Sequence, residues 1–274
     1  MFNQIELVKK IKEKLITEKN QLTSDWSNPL NTETKHFIVE NLIPKEWCDE
    51  IYNVFPKNSL GFFDKKTFRE KKRTSAKLSN YDKKISDISY ALQDPEIIYL
   101  IQAITKIKNL EPDPTLYAGG LSMMFKGDFL NPHIDNSHDA NREKYRRLNL
   151  LYYVSPGWKL ENGANFELWN KNITNPKTIV SKFNRLVVME TTKYSYHSVS
   201  KNNINKPRCC VSSYYFSKQS PEYKNYFHVT SFTGRPNEKI KRIIGPLDNL
   251  LRNTASNLFK MGRGKKEINI KIKK

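Results

Sequence analysis

Apolar residues recur at a helical period near the start of the chain, alternate strand-fashion through its middle, and return to a helical period near the end. Residues 4–19 set Ile5, Val8, Ile11 and Leu15 on one side, with lysines and glutamates between them, which predicts an amphipathic helix. His36-Phe37-Ile38-Val39-Glu40 reads as a short strand, and Pro44 then opens a helix whose stripe is Trp47, Ile51 and Phe55. A helix is predicted from Ile85 to Leu92. Asp94-Pro95-Glu96 gives an N-cap signal for the next one, with Ile98, Ile101 and Ile104 behind it. From Thr115 the period falls to two. Strands are predicted over residues 115–125, 147–154, 164–169, 177–181, 185–190, 195–200 and 208–216, separated by Gly, Pro and Asn turns, a pattern that points to a barrel or sandwich. Residues 236–260 predict one or two amphipathic helices broken at Gly245-Pro246. They carry Leu247, Leu250, Leu251 and Leu258, and residues 261–274 read as a loose basic end.

Composition narrows the class. At 274 residues and 32.2 kDa the chain can bury one substantial core with room for appendages. No apolar run reaches the length of a membrane span, and the first fifteen residues have neither the apolar segment nor the cleavage site of a secretory signal. Cys48, Cys209 and Cys210 make no disulfide framework, so a reducing cytoplasm is the expected location. The net charge of +19 and a pI near 9.7 invite an anionic partner. Lysine far outnumbers arginine, however, as a lysine-favouring coding bias also produces. One segment concentrates the charge. Residues 57–82 hold Lys65, Lys66, Arg69, Lys71, Lys72, Arg73 and Lys77 with Phe62, Phe63 and Phe68 interleaved, which reads either as a mobile surface loop or as a lid or substrate-contact segment.

Candidate chemistry lies in the stretch Gly127-Asp128-Phe129-Leu130-Asn131-Pro132-His133-Ile134-Asp135. In extended chain, side chains two apart point the same way, so His133 and Asp135 face one point and make half a metal site. The other half is offered downstream by His197, followed by Arg208. Two His and one carboxylate are the facial triad of non-haem Fe(II) oxygenases, and a guanidinium beyond the distal His suits a co-substrate carboxylate. Arg208 opens a strand on which Cys210, Ser212 and Tyr214 share its face.

With these residues the sequence resembles the 2-oxoglutarate/Fe(II) dioxygenases, specifically their prolyl 4-hydroxylase-like branch. The apolar strand Leu148-Asn149-Leu150-Leu151-Tyr152-Tyr153-Val154 with Trp158 and Gly163 matches too, as do Leu186-Val187-Val188-Met189 and Val211-Ser212-Ser213-Tyr214-Tyr215-Phe216. The likeness covers about residues 36–217. It implies a mainly β fold with flanking helices, a double-stranded β-helix (jelly-roll) core over 36–217, between an N-terminal amphipathic helix in 1–35 and a helical basic extension in 218–274. It also implies Fe(II) on His133, Asp135 and His197, and 2-oxoglutarate with its C5 carboxylate on Arg208. Ser212 and Tyr153 are implied as further donors to that carboxylate. O2 is the other co-substrate, and ascorbate the expected stimulant. The implied reaction is hydroxylation of a substrate C–H with release of succinate and CO2, on a small molecule or a peptidyl group, with the charge favouring an anionic one.

One position departs from the branch. Three residues before Gly127, where the family often has Tyr, stands Met124. Single residues argue against other readings. Asp135 argues against a halogenase, whose metal carboxylate is replaced. Tyr214 stands where nucleic-acid demethylases repeat an arginine, which argues against a nucleic-acid substrate. A metal-free jelly-roll binding module conflicts with intact ligands. His36, His138 and His228 are read as structural.

Overall fold

Alternating apolar residues build the centre of the fold, two long neighbouring strands whose opposite faces meet different partners. The computed structural model describes residues 2–117 and 119–258. Helices α1 (Gln4–Thr17) and α2 (Lys19–Ser27) precede β1 (His36–Glu40) and α3 (Lys45–Val54). A hairpin of β2 (Phe63–Lys66) and β3 (Glu70–Ser75) follows, then α4 (Lys83–Ala91), α5 (Pro95–Thr105), β4 (Glu111–Pro112) and β5 (Gly120–Met124). The chain continues through β6 (Phe129–Ile134), β7 (Tyr145–Tyr153), β8 (Phe166–Trp169), β9 (Pro176–Ile179), β10 (Arg185–Glu190), β11 (His197–Val199), β12 (Arg208–Ser217) and β13 (Ser231–Phe232), and ends in α6 (Lys239–Leu258). The strands join in the order β1-β10-β7-β12-β5-β3-β6-β11-β8-β9, and every pairing is antiparallel. The sheet curls into the half-barrel of a jelly roll, with helices on its flank.

On one face of the sheet Leu148, Leu150 and Tyr152 of β7 and Val211 and Tyr215 of β12 pack against Leu7 and Ile11 of α1, Ile51 of α3, Ile88 of α4 and Ile101 of α5. Each such side chain contributes about 1.5–3 kcal/mol when fully buried. Asn3 and Glu6 close a capping box on α1, and Asp94 accepts from the Glu96 N–H at 2.9 Å to start α5, as its N-cap signal predicts. The opposite face, with Tyr153, Val187, Met189 and Cys210, turns into the half-barrel towards Phe166 and Leu168.

Three regions differ from the sequence expectation. The basic segment is neither a loose loop nor a detached lid: β3 is wedged between β5 and β6. Gly120, at φ +99°, makes room for it, since a Cβ there would lie 2.3 Å from the Ser75 carbonyl oxygen. On the outer side of the hairpin, fully buried Asp128 accepts from Arg73 and from the Phe125 N–H (2.7 Å), and lies 3.4 Å from Lys71. Charge pairing rather than apolar alternation makes this strand, and periodicity cannot see that. The strand predicted over 115–125 is confined to 120–124, after a turn at 114–115. At the C-terminal end, α6 runs on through Gly245-Pro246 instead of breaking. Side-chain bonds hold its two halves to the body: Arg242 donates to the Ile173 carbonyl (3.1 Å), and Asn249 exchanges two bonds of 2.9 Å with the Phe232 backbone. The stretch after 217 therefore adds both α6 and strand β13, paired with β6, to the same sheet. The basic end, 261–274, lies outside the described residues.

Candidate metal centre and its cavity

Pairing of β6 with β11 sets His133 directly opposite His197, their rings 4.1 Å apart. Asp135 follows the end of β6 and turns back to both, with its oxygens 3.6 Å from His133 Nε2 and 3.7 Å from His197 Nε2. The three offer ligand atoms within 4.8 Å of one another, and among the described residues no other group of His, Cys, Asp or Glu does so. Both outer nitrogens are held. His133 Nδ1 meets the Asn131 carbonyl and His197 Nδ1 the Ser195 carbonyl, each at 3.0 Å. A carbonyl can only accept, so Nδ1 carries the proton and Nε2 keeps its lone pair towards Asp135. Phe232 of β13 stacks on His133 at 4.9 Å and fixes the ring from behind.

Electrostatics make this a ready donor set. Burial, and the neighbouring His133, push the His197 imidazole down to about 4 against the pull of Asp135. Burial alone would raise Asp135, but the Arg146 guanidinium and the two imidazoles outweigh it and hold the carboxyl well below its ordinary range. Arg146 is the residue that sequence periodicity misses. Simple alternation along β7 would place it with Leu148 and Leu150 on the core face. A register shift against β12, where Tyr215 pairs with Leu148 and Phe216 with Arg146, breaks that alternation. Arg146 Nη1 lies 3.2 Å from Asp135, Nη2 donates to Asn136 Oδ1 at 2.8 Å, and the guanidinium sits 4.1 Å over the Tyr214 ring.

A cavity of about 540 Å³ opens from the three residues into the half-barrel. Arg208, Cys210, Ser212 and Tyr214 all line it, as their shared face predicts. Arg208 is buried; its Nη2 contacts Met124 Sδ at 3.0 Å, its guanidinium lies 5.4 Å from the Tyr153 ring centroid, and its Nε has no partner. The Tyr153 hydroxyl is buried without a partner of ordinary geometry, with Ser181 as a weak neighbour, and burial raises its pKa. Asn149 Oδ1, on the same wall, is likewise unpaired. Ser212 donates to the Gly120 carbonyl at 3.2 Å. Across the cavity stand Lys65 and Lys72 of the hairpin, directly opposite each other in register.

The remaining motif residues are structural here. Trp158 Nε1 donates to the Gly163 carbonyl at 2.8 Å and ties off the glycine turn. His138 bonds Ser137 Oγ (2.8 Å) and packs on Tyr145, His228 stacks on Tyr226, and His36 meets the Thr34 carbonyl.

Residues 119–216, which contain every one of the proposed ligand and anchor residues, match the family model of the 2OG-Fe(II) oxygenase superfamily. This central region belongs to the superfamily. The oxygenase is similar in fold to a prolyl-4-hydroxylase from Pseudomonas putida, at 12% identity and a TM-score of 0.53, over 73% of this chain and 98% of that one. It is similar also to a prolyl hydroxylase from Trichoplax adhaerens in complex with a hypoxia inducible factor peptide fragment (17% identity, TM-score 0.52, 77% and 96% covered). A third likeness is to a prolyl 4-hydroxylase from Phytophthora capsici (17%, TM-score 0.50, 94% and 78% covered). At these identities the likeness is one of fold. No curated protein matches the sequence. The superfamily uses Fe(II), 2-oxoglutarate and O2. The residues fit them: two imidazoles and a carboxylate for the metal, and unpaired donors at Arg208 and Tyr153 for a carboxylate.

Proposed function

We propose that this oxygenase hydroxylates a C–H bond of a substrate bearing an acidic group, a small molecule or a peptide side chain, with release of succinate and CO2. In this reading His133, Asp135 and His197 hold the Fe(II), and Arg208 with Tyr153 and Ser212 anchors the distal carboxylate of 2-oxoglutarate. With Fe(II) bound there, O2 would be the oxidant and the source of the inserted oxygen atom, and 2-oxoglutarate the two-electron reductant that leaves as succinate and CO2. The protein's own groups orient and insulate. Backbone carbonyls fix both imidazoles, Arg146 keeps Asp135 ionised, and buried Tyr153 and Cys210 exclude water from the anchor end. Ser212, whose hydroxyl donates to the Gly120 carbonyl, and Arg208, whose Nη2 touches Met124 Sδ, would be the groups to hold that carboxylate.

The acid group is supported by one observation, the like-charged cross-strand pair of Lys65 and Lys72 in the cavity wall. Like charges directly opposite in a sheet are unfavourable unless an anion lies between them. Lys72 has Glu70 at 3.2 Å, yet the cavity lining as a whole counts Lys65, Lys72, Lys77 and Arg208 against Asp135 alone. Arg146 balances Asp135 and Arg208 is assigned to the co-substrate, which leaves the wall around Lys65, Lys72 and Lys77 with a net positive field. Tyr214, lying under Arg146, gives no second arginine for a nucleic-acid substrate. Three unpaired buried thiols support a cytoplasmic, reducing location; burial pushes Cys48 and Cys210 up to about 12. Succinate release, measured over pairs of carboxylated or phosphorylated compounds and their neutral amides or alcohols, tests the reading. Acidic members should raise turnover above the uncoupled rate, and equal stimulation by neutral members would overturn the substrate class.

A further inference from the structure

Helix α6 is inside out. Its outward face carries Ile240, Ile243, Leu247, Leu250, Leu251 and Leu258, each 59–73% exposed. Its polar side faces the protein. Asp248 pairs with Arg69 at 2.7 Å, Asn249 clamps Phe232, Arg252 donates to the Thr230 carbonyl (2.8 Å), and Asn253 accepts from the Val229 N–H (2.9 Å). Gly245 approaches so closely that a Cβ would lie 2.6 Å from the Phe232 carbonyl oxygen. A surface helix ordinarily buries its apolar stripe against the core. Here the stripe is left out along a helix of 20 residues, about 30 Å in length, and a continuous apolar patch of that kind marks an interaction surface.

Charge decides what the surface meets. The single carboxylate in α6, Asp248, is already shared by Arg69 and Arg252. Exposed Lys239 flanks one end of the stripe, next to Lys241 in its pair with Glu238, and the Arg69–Asp248 pair brings the hairpin turn with exposed Phe68 alongside. The sequence just past the helix carries Lys260, Arg263, Lys265, Lys266, Lys271, Lys273 and Lys274 against one acid, Glu267. A second copy of this chain would bring another +19 to the same face, whereas an anionic lipid surface brings the opposite sign. Among the described residues no helix is long and apolar enough to cross a membrane, so the helix suits lying in the interface rather than spanning it. We propose that α6 lays its aliphatic stripe into the headgroup region of an anionic bilayer and holds the enzyme on the membrane surface. This stands independently of the substrate reading.

The test is flotation of the full-length protein with vesicles of phosphatidylcholine alone or of phosphatidylcholine mixed with phosphatidylglycerol. The protein should float with the anionic vesicles and not with the neutral ones. The triple variant Ile243→Ser, Leu247→Ser, Leu251→Ser keeps every charge and alters only exposed side chains, and its partition should fall by more than about tenfold. Its melting temperature and its binding of Fe(II) should stay those of the wild type. Should the triple variant melt early, the single change Leu250→Ser is read instead, with a several-fold loss expected. Absence of flotation on anionic vesicles overturns the proposal. So does equal flotation of the variant, which would mean adsorption by charge alone, and so does a wild-type dimer in light scattering that the variant dissolves, which would assign the stripe to a second copy.

Discussion

The two ends of the cavity are built on opposite principles. At the metal end the ring positions are set before any ligand arrives, both Nδ1 atoms by carbonyls and His133 by Phe232. Asp135 lies in ion-pair range of Arg146, with its Oδ2, a prospective ligand atom, left without a hydrogen bond. At the other end, Arg208 Nε, the Tyr153 hydroxyl and Asn149 Oδ1 are buried without such partners. An unsatisfied buried polar group costs about 1–3 kcal/mol, so a fold keeps one where a ligand will satisfy it. The metal end is thus pre-organised by its protein surroundings, and the anchor end by what it lacks. Substitutions should hurt stability at the first end and ligand binding at the second.

Asp135→Ala is the harshest way to break that contrast. It removes a ligand and leaves Arg146, only 2% exposed, without its counter-charge. Succinate formation should fall to background, and the metal-free protein should lose roughly 3–5 kcal/mol in denaturant unfolding. Pairing it with Arg146→Met should restore most of the stability and none of the activity. Arg208→Ala should do the reverse: weaken 2-oxoglutarate binding by about two orders of magnitude or more, with little change in unfolding free energy, because its nearest partner is only a thioether. Arg208→Lys should recover part of the affinity, being a point charge and not a fork.

Acid sharpens the metal end further. His197 has its pKa lowered on folding from 6.5 to about 4, so the unfolded chain binds its proton first. The contribution is complete above pH 6.5 and is lost as pH falls towards 4, at most about 3 kcal/mol. Unfolding of the metal-free protein across that window should be steeper than that of His197→Gln. The smallest effect belongs to the hairpin wall. Replacing Lys65 and Lys72 by Met should raise KM for an acidic substrate several-fold and leave uncoupled 2-oxoglutarate turnover unchanged. The wild-type KM should also climb with salt, since screening shortens from about 10 Å at 0.1 M to about 3 Å at 1 M. A KM indifferent to both changes would make the hairpin a wall without a recognition role.

The same contrast explains what the sequence could tell. Spacing of two put His133 and Asp135 on one side, and the shared face of Arg208, Cys210, Ser212 and Tyr214 follows from strand alternation alone. Core strands such as β7 and β10 were legible because their apolar runs are long. Arg146 was not, because a register shift reverses its side. The hairpin was not, because Arg73 and Lys71 are held in place by pairing with buried Asp128 and carry no apolar signature. Helix α6 was seen, but its orientation could not be, since its polar and apolar faces are exchanged.

Anaerobic titration of the Fe(II)-loaded protein with 2-oxoglutarate, followed by the visible charge-transfer band of the chelate, tests the two-ended cavity most directly. The wild type should form the band at low co-substrate concentration. Arg208→Ala should form the same band only at concentrations at least about a hundredfold higher. His197→Ala should form none at any concentration. Identical titrations of all three proteins, or loss of the band in Arg208→Ala together with loss of iron, would contradict the division of the cavity into a metal end and an anchor end.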